Sequence, residues 1–353
     1  MMATDKRMLD RRDFLKGISL GVLGGIAFRG EILRGDSLTI AGNPQDKVGT
    51  LYKKITKPAR VSLVKGNDRR EIVYQSLKLL EDEILASIGS KKVLIKPNMV
   101  LADCPLCVTH VDAVRAVLDF LSPHYKKQII IGESGAHNTM DGFKNNEYFR
   151  LEKEYKVKVV DLNQEAYQYR YVFGEENRPL PIRIISTFLD PDVYIISVAR
   201  MKTHNKVLVT LSLKNVLLAC PLNDYKQNDK GFMHTGPTAV NDLCHFNMFH
   251  LAQEVFPDLA VIDGFEAMEG NGPSWGTPFD SRVALASRDA LAADTLATKI
   301  MGFDPKRILY LSAMTEAGMG QGEIEKIDVL GSPLDQCRYK FKPHEEMARV
   351  YRL

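Results

Sequence analysis

Two lysines, two histidines and an amide crowd one stretch of this chain: Met201-Lys202-Thr203-His204, then Lys214-Asn215, then Gly231-Phe232-Met233-His234. They follow the apolar run Val193-Tyr194-Ile195-Ile196-Ser197-Val198, which reads as a buried strand. Lys202 and His204 are therefore expected at its C-terminal end, where open α/β sheets bind their ligands. Cations gathered there need an anionic partner, either acidic side chains or a ligand. Lysine serves such a site as a point-charge clamp or, once burial lowers its pKa, as an acid–base or Schiff-base group. Histidine moves protons near neutral pH. This chemistry makes Lys202, His204, Lys214 and His234 the candidate catalytic residues.

The same pattern of a short strand followed at once by polar residues recurs. Lys96 and Asn98 follow Val93-Leu94-Ile95, Glu133 and Ser134 follow Ile129-Ile130-Ile131, and Asp263 follows Leu259-Ala260-Val261-Ile262. Asp263 joins the catalytic candidates as a general base. Lys96, Asn98, Glu133, Ser134 and Asn215, with Glu269 and Asn271 from the glycine-rich segment Glu269-Gly270-Asn271-Gly272-Pro273, are the candidates for binding substrate. Glycines there permit close backbone approach. Asp263 and Glu269 read equally well as hard-metal ligands or as carboxylates capping a turn. His245 and His250 sit in an apolar helical stretch and read as structural. No phosphate-binding loop, dinucleotide fingerprint, nucleophile elbow or zinc-protease motif occurs.

Positioning these residues requires strands and helices in alternation. Apolar runs at 59–64, 93–95, 129–131, 157–161, 182–185, 193–198, 259–263, 283–286 and 327–330 read as strands. Helical spacing appears over 69–88, over 109–121 with Thr109 as the cap, over 210–216, and over 290–301 closed by Gly302. The order predicts an α/β fold with a largely parallel, Rossmann-like sheet flanked by helices. It also predicts that Lys96, Lys202 and Asp263 converge at strand ends. The helix near 210–216 should return Lys214 to the crevice and offer its first backbone N–H groups to the same anion.

The chain has 353 residues, with 47 basic and 44 acidic side chains and a net charge of +3, too balanced for nucleic-acid binding. The small anionic ligand is the expected partner. Near the N-terminus, Arg11-Arg12-Asp13-Phe14-Leu15-Lys16 precedes a short, glycine-rich apolar run over 17–28. That arrangement resembles a twin-arginine export signal. The expectation is a signal and linker over 1–45, with cleavage near Ala41-Gly42 or retention as an uncleaved anchor, ahead of one α/β domain over 56–353. The run is too short for a membrane span of about 20 residues. The export machinery is thus an expected partner, and the expected location is periplasmic or otherwise extracytoplasmic. Of five cysteines, Cys104 and Cys107 form a C-x2-C pair that reads either as metal or iron–sulfur ligands, completed by Cys220 and Cys244, or as a disulfide. A metal- or cluster-dependent redox protein and a non-catalytic binding module stand beside the enzyme reading.

The ordered motifs Lys96-Pro97-Asn98, Glu133-Ser134-Gly135, Lys202-Thr203-His204, Thr210 to Asn215, His234 and Asp263 to Pro273 carry a resemblance. Together with Ala293-Asp294 and Met301 to Pro305, they are similar to the family called domain of unknown function 362. The resemblance covers roughly residues 60 to 335. It implies the fold and the positions of the site; that family has no established general activity. Many of its members append a cysteine-rich ferredoxin-like module, whereas this chain contains no C-x2-C-x2-C run.

Overall fold

Seven strands of one central sheet run in the same direction, and two run against them. In the computed structural model, which describes residues 58–353 apart from 137, 175–177 and 235–241, the strands are β1 (Ala59–Lys65), β2 (Lys92–Lys96), β3 (Ile129–Glu133), β4 (Val157–Asp161), β5 (Tyr167–Phe173) and β6 (Pro179–Ile185). They continue with β7 (Val193–His204), β8 (Leu208–Thr210), β9 (Leu259–Asn271), β10 (Trp275–Ser287) and β11 (Ile327–Gly331). The central order is β11-β1-β10-β9-β7-β2-β3-β4, with β8 on the end of β7. Pairing is parallel at β11/β1, β9/β7, β7/β2, β2/β3 and β3/β4, and antiparallel where β10 or β8 takes part. The chain therefore has an α/β fold with a mostly parallel sheet, as its sequence predicts.

Side-chain alternation gives the sheet two cores. Leu94, Ala260 and Ile262 belong to one, with the helices Ser212–Leu217, Ala290–Ile300 and Leu309–Glu316 over them. Val93, Ile95, Leu259 and Val261 belong to the other, under the helices Arg69–Lys78, Glu81–Ile88 and Val111–Leu121. Each buried aliphatic side chain contributes about 1.5–3 kcal/mol, so both faces are firmly covered.

Several local expectations are corrected. The stretch 69–88 is two helices, because Glu81, Asp82 and Glu83 open a fresh first turn where negative charge favours a helix start. Thr109 does not cap the next helix; His110 does. The Thr109 hydroxyl instead donates to the Val198 carbonyl and accepts from the Asn98 N–H, tying the loop after β2 to β7. The segment 182–185 lies in a separate two-stranded ribbon, β5/β6. β9 is followed by a hairpin into β10, not by a helix. The signal-like region over 1–45 lies outside the described residues.

Candidate functional site

The last residues of β7 fix the site. Past Ser197, where its pairing with β2 ends, β7 runs on for seven residues with β9 on one side and β8 on the other. Lys202, Thr203 and His204 are consequently strand residues, all buried, and form the C-terminal end of β7. β8 leads directly into the helix Ser212–Leu217, which carries Lys214 and Asn215.

Around this point a cavity of about 130 Å³ opens beyond the carboxyl ends of the parallel strands. Its walls carry Lys96 from the end of β2 and Asn98 after it, Glu133 and Ser134 from β3 and its loop, and His204 from β7. Thr210, Lys214, Asn215, Lys230, His234 and Pro273 are also in the lining. Eight of the twelve sequence candidates thus meet in one place: Lys96, Asn98, Glu133, Ser134, His204, Lys214, Asn215 and His234.

A rigid polar frame holds the floor. Lys96 Nζ lies 2.8 Å from Glu133 Oε2 and donates to Asn215 Oδ1 at 2.8 Å. Asn98 Nδ2 donates to the same Asn215 oxygen, while Asn215 Nδ2 donates to the Lys96 carbonyl and to Ser197 Oγ. Glu133 also accepts the backbone N–H groups of Met99 and Ser134. The Glu133 carboxylate is thereby used up inside the frame. Burial pulls the Lys96 pKa down, and Glu133 opposes that pull.

The remaining cations have no carboxylate in direct contact, although Glu133 acts on Lys230 from a longer range. Among the described residues no carboxylate stands within ion-pair distance of Lys214 or Lys230, and both are buried. Among the described residues, Lys230 Nζ donates only to the Ser134 carbonyl and hydroxyl. Burial, aided by Lys96 nearby, lowers the Lys214 pKa to about 8, and burial lowers that of Lys230 to about 8. Burial and then Lys214 hold His204 well below the usual imidazole range and bring His234 to about 4. Both histidines are therefore neutral at pH 7. Their rings face each other at 6.2 Å between centroids. Two further polar atoms of lining residues, Asn98 Oδ1 and Thr210 Oγ1, are buried and have no hydrogen-bond partner among the described residues. Buried polar atoms left in that state mark a place for a ligand or ordered water.

Four candidates are placed elsewhere. Lys202 Nζ donates to the Cys107 carbonyl at 2.6 Å, and Arg200 Nε to the Val108 carbonyl at 2.7 Å, so both pin the loop that follows β2. Asp263 does not converge with Lys96. It continues the face of Leu259 and Val261, whereas Lys96 continues the opposite face of Leu94. Its partner is Arg69, at 3.2 Å, from the helix Arg69–Lys78. Glu269 accepts the Lys342 N–H, and Asn271 exchanges hydrogen bonds with Glu345. These two side chains hold the C-terminal segment, while Pro273 of the same hairpin lines the cavity.

The first amides of the helix Ser212–Leu217 are also committed. Ser212 N–H and Leu213 N–H donate to the two carboxyl oxygens of Asp294, at 2.8 and 2.9 Å, so they do not reach an anion in the cavity. Asp294 is buried, and burial raises its pKa to about 8. Its task is to place Lys214 and Asn215. Cys104 and Cys107 are joined to each other. Sulfurs bonded together are not thiolate ligands, and the described residues contain no cluster of three or more metal-ligating side chains that includes them. Cys220 and Cys244 do not complete a set with this pair.

Sequence reasoning missed Lys230, Thr210 and Asp294 as parts of the site. Lys230 had a signal: it stands four residues before His234, the spacing that puts two side chains on one helical face.

The model of the family described as Domain of unknown function (DUF362) matches residues 93–299. The chain belongs to this family. The matched span contains every residue named above as lining the cavity, together with Asp294. Outside the family model, this DUF362 chain is 27% identical over 247 residues to a thylakoid-associated protein of Synechocystis, covering 69% of this chain and 73% of that protein. Among solved structures it is similar to a lactate racemase apoprotein from Thermoanaerobacterium thermosaccharolyticum, at 16% identity and a TM-score of 0.38. A protein from Thermotoga maritima is similar at 12% identity and a TM-score of 0.35. The alignments cover 59% and 61% of this chain, and they span about half the length of those solved chains, 51% and 55%.

Proposed function

We propose that this DUF362 protein binds a small oxyanion, a carboxylate or phosphate, between Lys214 and Lys230, and that His204 and His234 handle protons on it as an enzyme. The observation that carries this reading is the uncompensated charge: two buried lysines face a cavity whose lining carboxylate, Glu133, is already paired with Lys96. Burying a cation without a counter-charge is costly, and an anion in the cavity removes that cost. The size agrees with a small ligand, since an apolar cavity of about 150 Å³ takes up benzene.

The export reading belongs with this proposal. Arg11-Arg12 with Phe14-Leu15-Lys16 supports it, and the joined Cys104 and Cys107 suit an oxidising compartment. Among the described residues no helix is long and apolar enough to cross a membrane.

Isothermal titration of the purified protein with inorganic phosphate, acetate and, as a cationic control, tetramethylammonium tests the reading. At least one of the two anions should bind and the cation should not. Absence of binding by both anions at millimolar concentration overturns it.

A further inference from the structure

The two lysines of the cavity are held very differently. Lys230 Nζ donates to the Ser134 carbonyl and to Ser134 Oγ, and that hydroxyl gives its own hydrogen to the Ala219 carbonyl. The Ser134 oxygen can therefore only accept, and Lys230 is fixed in place with two of its N–H groups used. As an ammonium it keeps a third for a carboxylate. Lys214 Nζ, by contrast, makes no hydrogen bond and no ion pair with any described residue. It is not one of the buried polar atoms sealed off without a partner, so the amine has open surface on a side chain that is otherwise buried. The cavity that Lys214 lines is the open space beside it.

An unheld amine among other cations is a nucleophile, because nothing in contact with it stabilises the charged form. Burial, with Lys96 adding to it, holds the Lys214 pKa at about 8. About a tenth of the amine is then uncharged at pH 7, far more than for an ordinary lysine. Lys214 and Lys230 are near enough for the first to depress the pKa of the second. A ligand that uses both carries a carboxylate for the fixed cation and an electrophilic carbonyl carbon for the open amine. The cavity is close in size to one that takes up benzene, and pyruvate has as many heavy atoms as benzene.

We infer that Lys214 forms a Schiff base with a small oxo acid whose carboxylate lies on Lys230. This rests on the anion reading above and adds the substrate class and the covalent step. The uncharged Nζ adds to the carbonyl carbon, and a proton passes from nitrogen to oxygen to give a carbinolamine. The hydroxyl leaves as water, and a C=N bond with a charged nitrogen remains. Counted from the ammonium, two nitrogen-bound hydrogens and the carbonyl oxygen depart as one water, and no electrons are gained or lost.

The experiment incubates wild type with pyruvate and cyanoborohydride, which delivers hydride to an imine carbon and leaves a stable secondary amine. Intact mass and peptide mapping then locate the product. One reduced pyruvate adduct per chain should appear, on the peptide carrying Lys214. Excess acetate, which has the carboxylate and no carbonyl carbon open to attack, should suppress it by occupying Lys230. Lys214→Arg, checked for a cooperative melt, should lose the adduct. Absence of an adduct from wild type, an adduct no more abundant on Lys214 than on other lysines, or one that acetate does not suppress overturns the inference. Acetate binding in the titration above, together with any of these results, leaves the anion site standing. Failure of both acetate and phosphate to bind overturns the anion reading itself.

Discussion

Lys96 Nζ and Glu133 Oε2 lie 2.8 Å apart at the C-terminal ends of adjacent parallel strands, and both side chains are almost completely buried. This pair gives the cavity its sign. With Glu133 held by Lys96, no carboxylate among the described residues is in ion-pair contact with Lys214 or Lys230.

Glu133→Gln breaks that pair while leaving Lys96 in place. Removing one partner of a buried ion pair costs about 3–5 kcal/mol, because the other charge stays desolvated. Urea denaturation at pH 7 should show a loss of that order. A change below about 0.5 kcal/mol, the range of ordinary surface substitutions, would show that the pair is not the structural frame described here.

The lysines make the stability of the ligand-free protein depend on pH. Lys214 and Lys230 have folded pKa values of about 8, below the ordinary value of 10.5. Between those limits the unfolded chain binds more protons than the folded one, so stability rises as pH climbs from about 8 toward 10.5. Cys244 and Lys96 are the titratable neighbours that bear on Lys214, Glu133, Lys96, Cys220 and Lys214 those that bear on Lys230, and Lys214, Lys230 and Lys206 those that bear on His234. Anion affinity should move in the opposite direction: near constant from pH 6 to 7.5, then falling above pH 8 as the lysines lose their charge. Titrations with acetate, which keeps a single charge across pH 6 to 10, check this. An affinity that rises through pH 8 to 9 would contradict it.

For the N-terminus, replacing Arg11 and Arg12 together by lysine should strand the protein in the cytoplasm. Fractionation of cells expressing wild type and the double variant measures this directly. Unchanged export of the variant would remove the twin-arginine reading and leave the cavity chemistry untouched.

Much of the fold was legible because short apolar runs bounded by glycine or charge mark strands, and each run assigned to a strand became one. The full length of β7 was hidden, since Arg200, Lys202 and His204 read as the end of a buried segment. They are buried nonetheless, because the loop after β2 supplies carbonyl acceptors for the first two. Asp263 looked equivalent to Lys96, each following an apolar run. Which face each side chain takes depends on strand order and alternation across the sheet, and spacing along the chain does not reveal that. Lys230 lies in the polar stretch Asn223 to Lys230, which reads as a solvated loop; only packing against Ser134 buries it. The commitment of the Ser212 and Leu213 amides to Asp294 joins residues about 80 positions apart and left no local trace.

The measurement that bears most directly on the account is a paired one on Lys214→Met: acetate and phosphate affinity by isothermal titration, and thermal stability of the ligand-free protein. Methionine keeps the apolar length of lysine and removes its charge. With no carboxylate partner lost, the melting temperature should stay the same or rise, while anion affinity falls at least tenfold, about 1.4 kcal/mol. A lowered melting temperature with anion affinity intact would contradict the account, because it would make Lys214 one half of a structural ion pair.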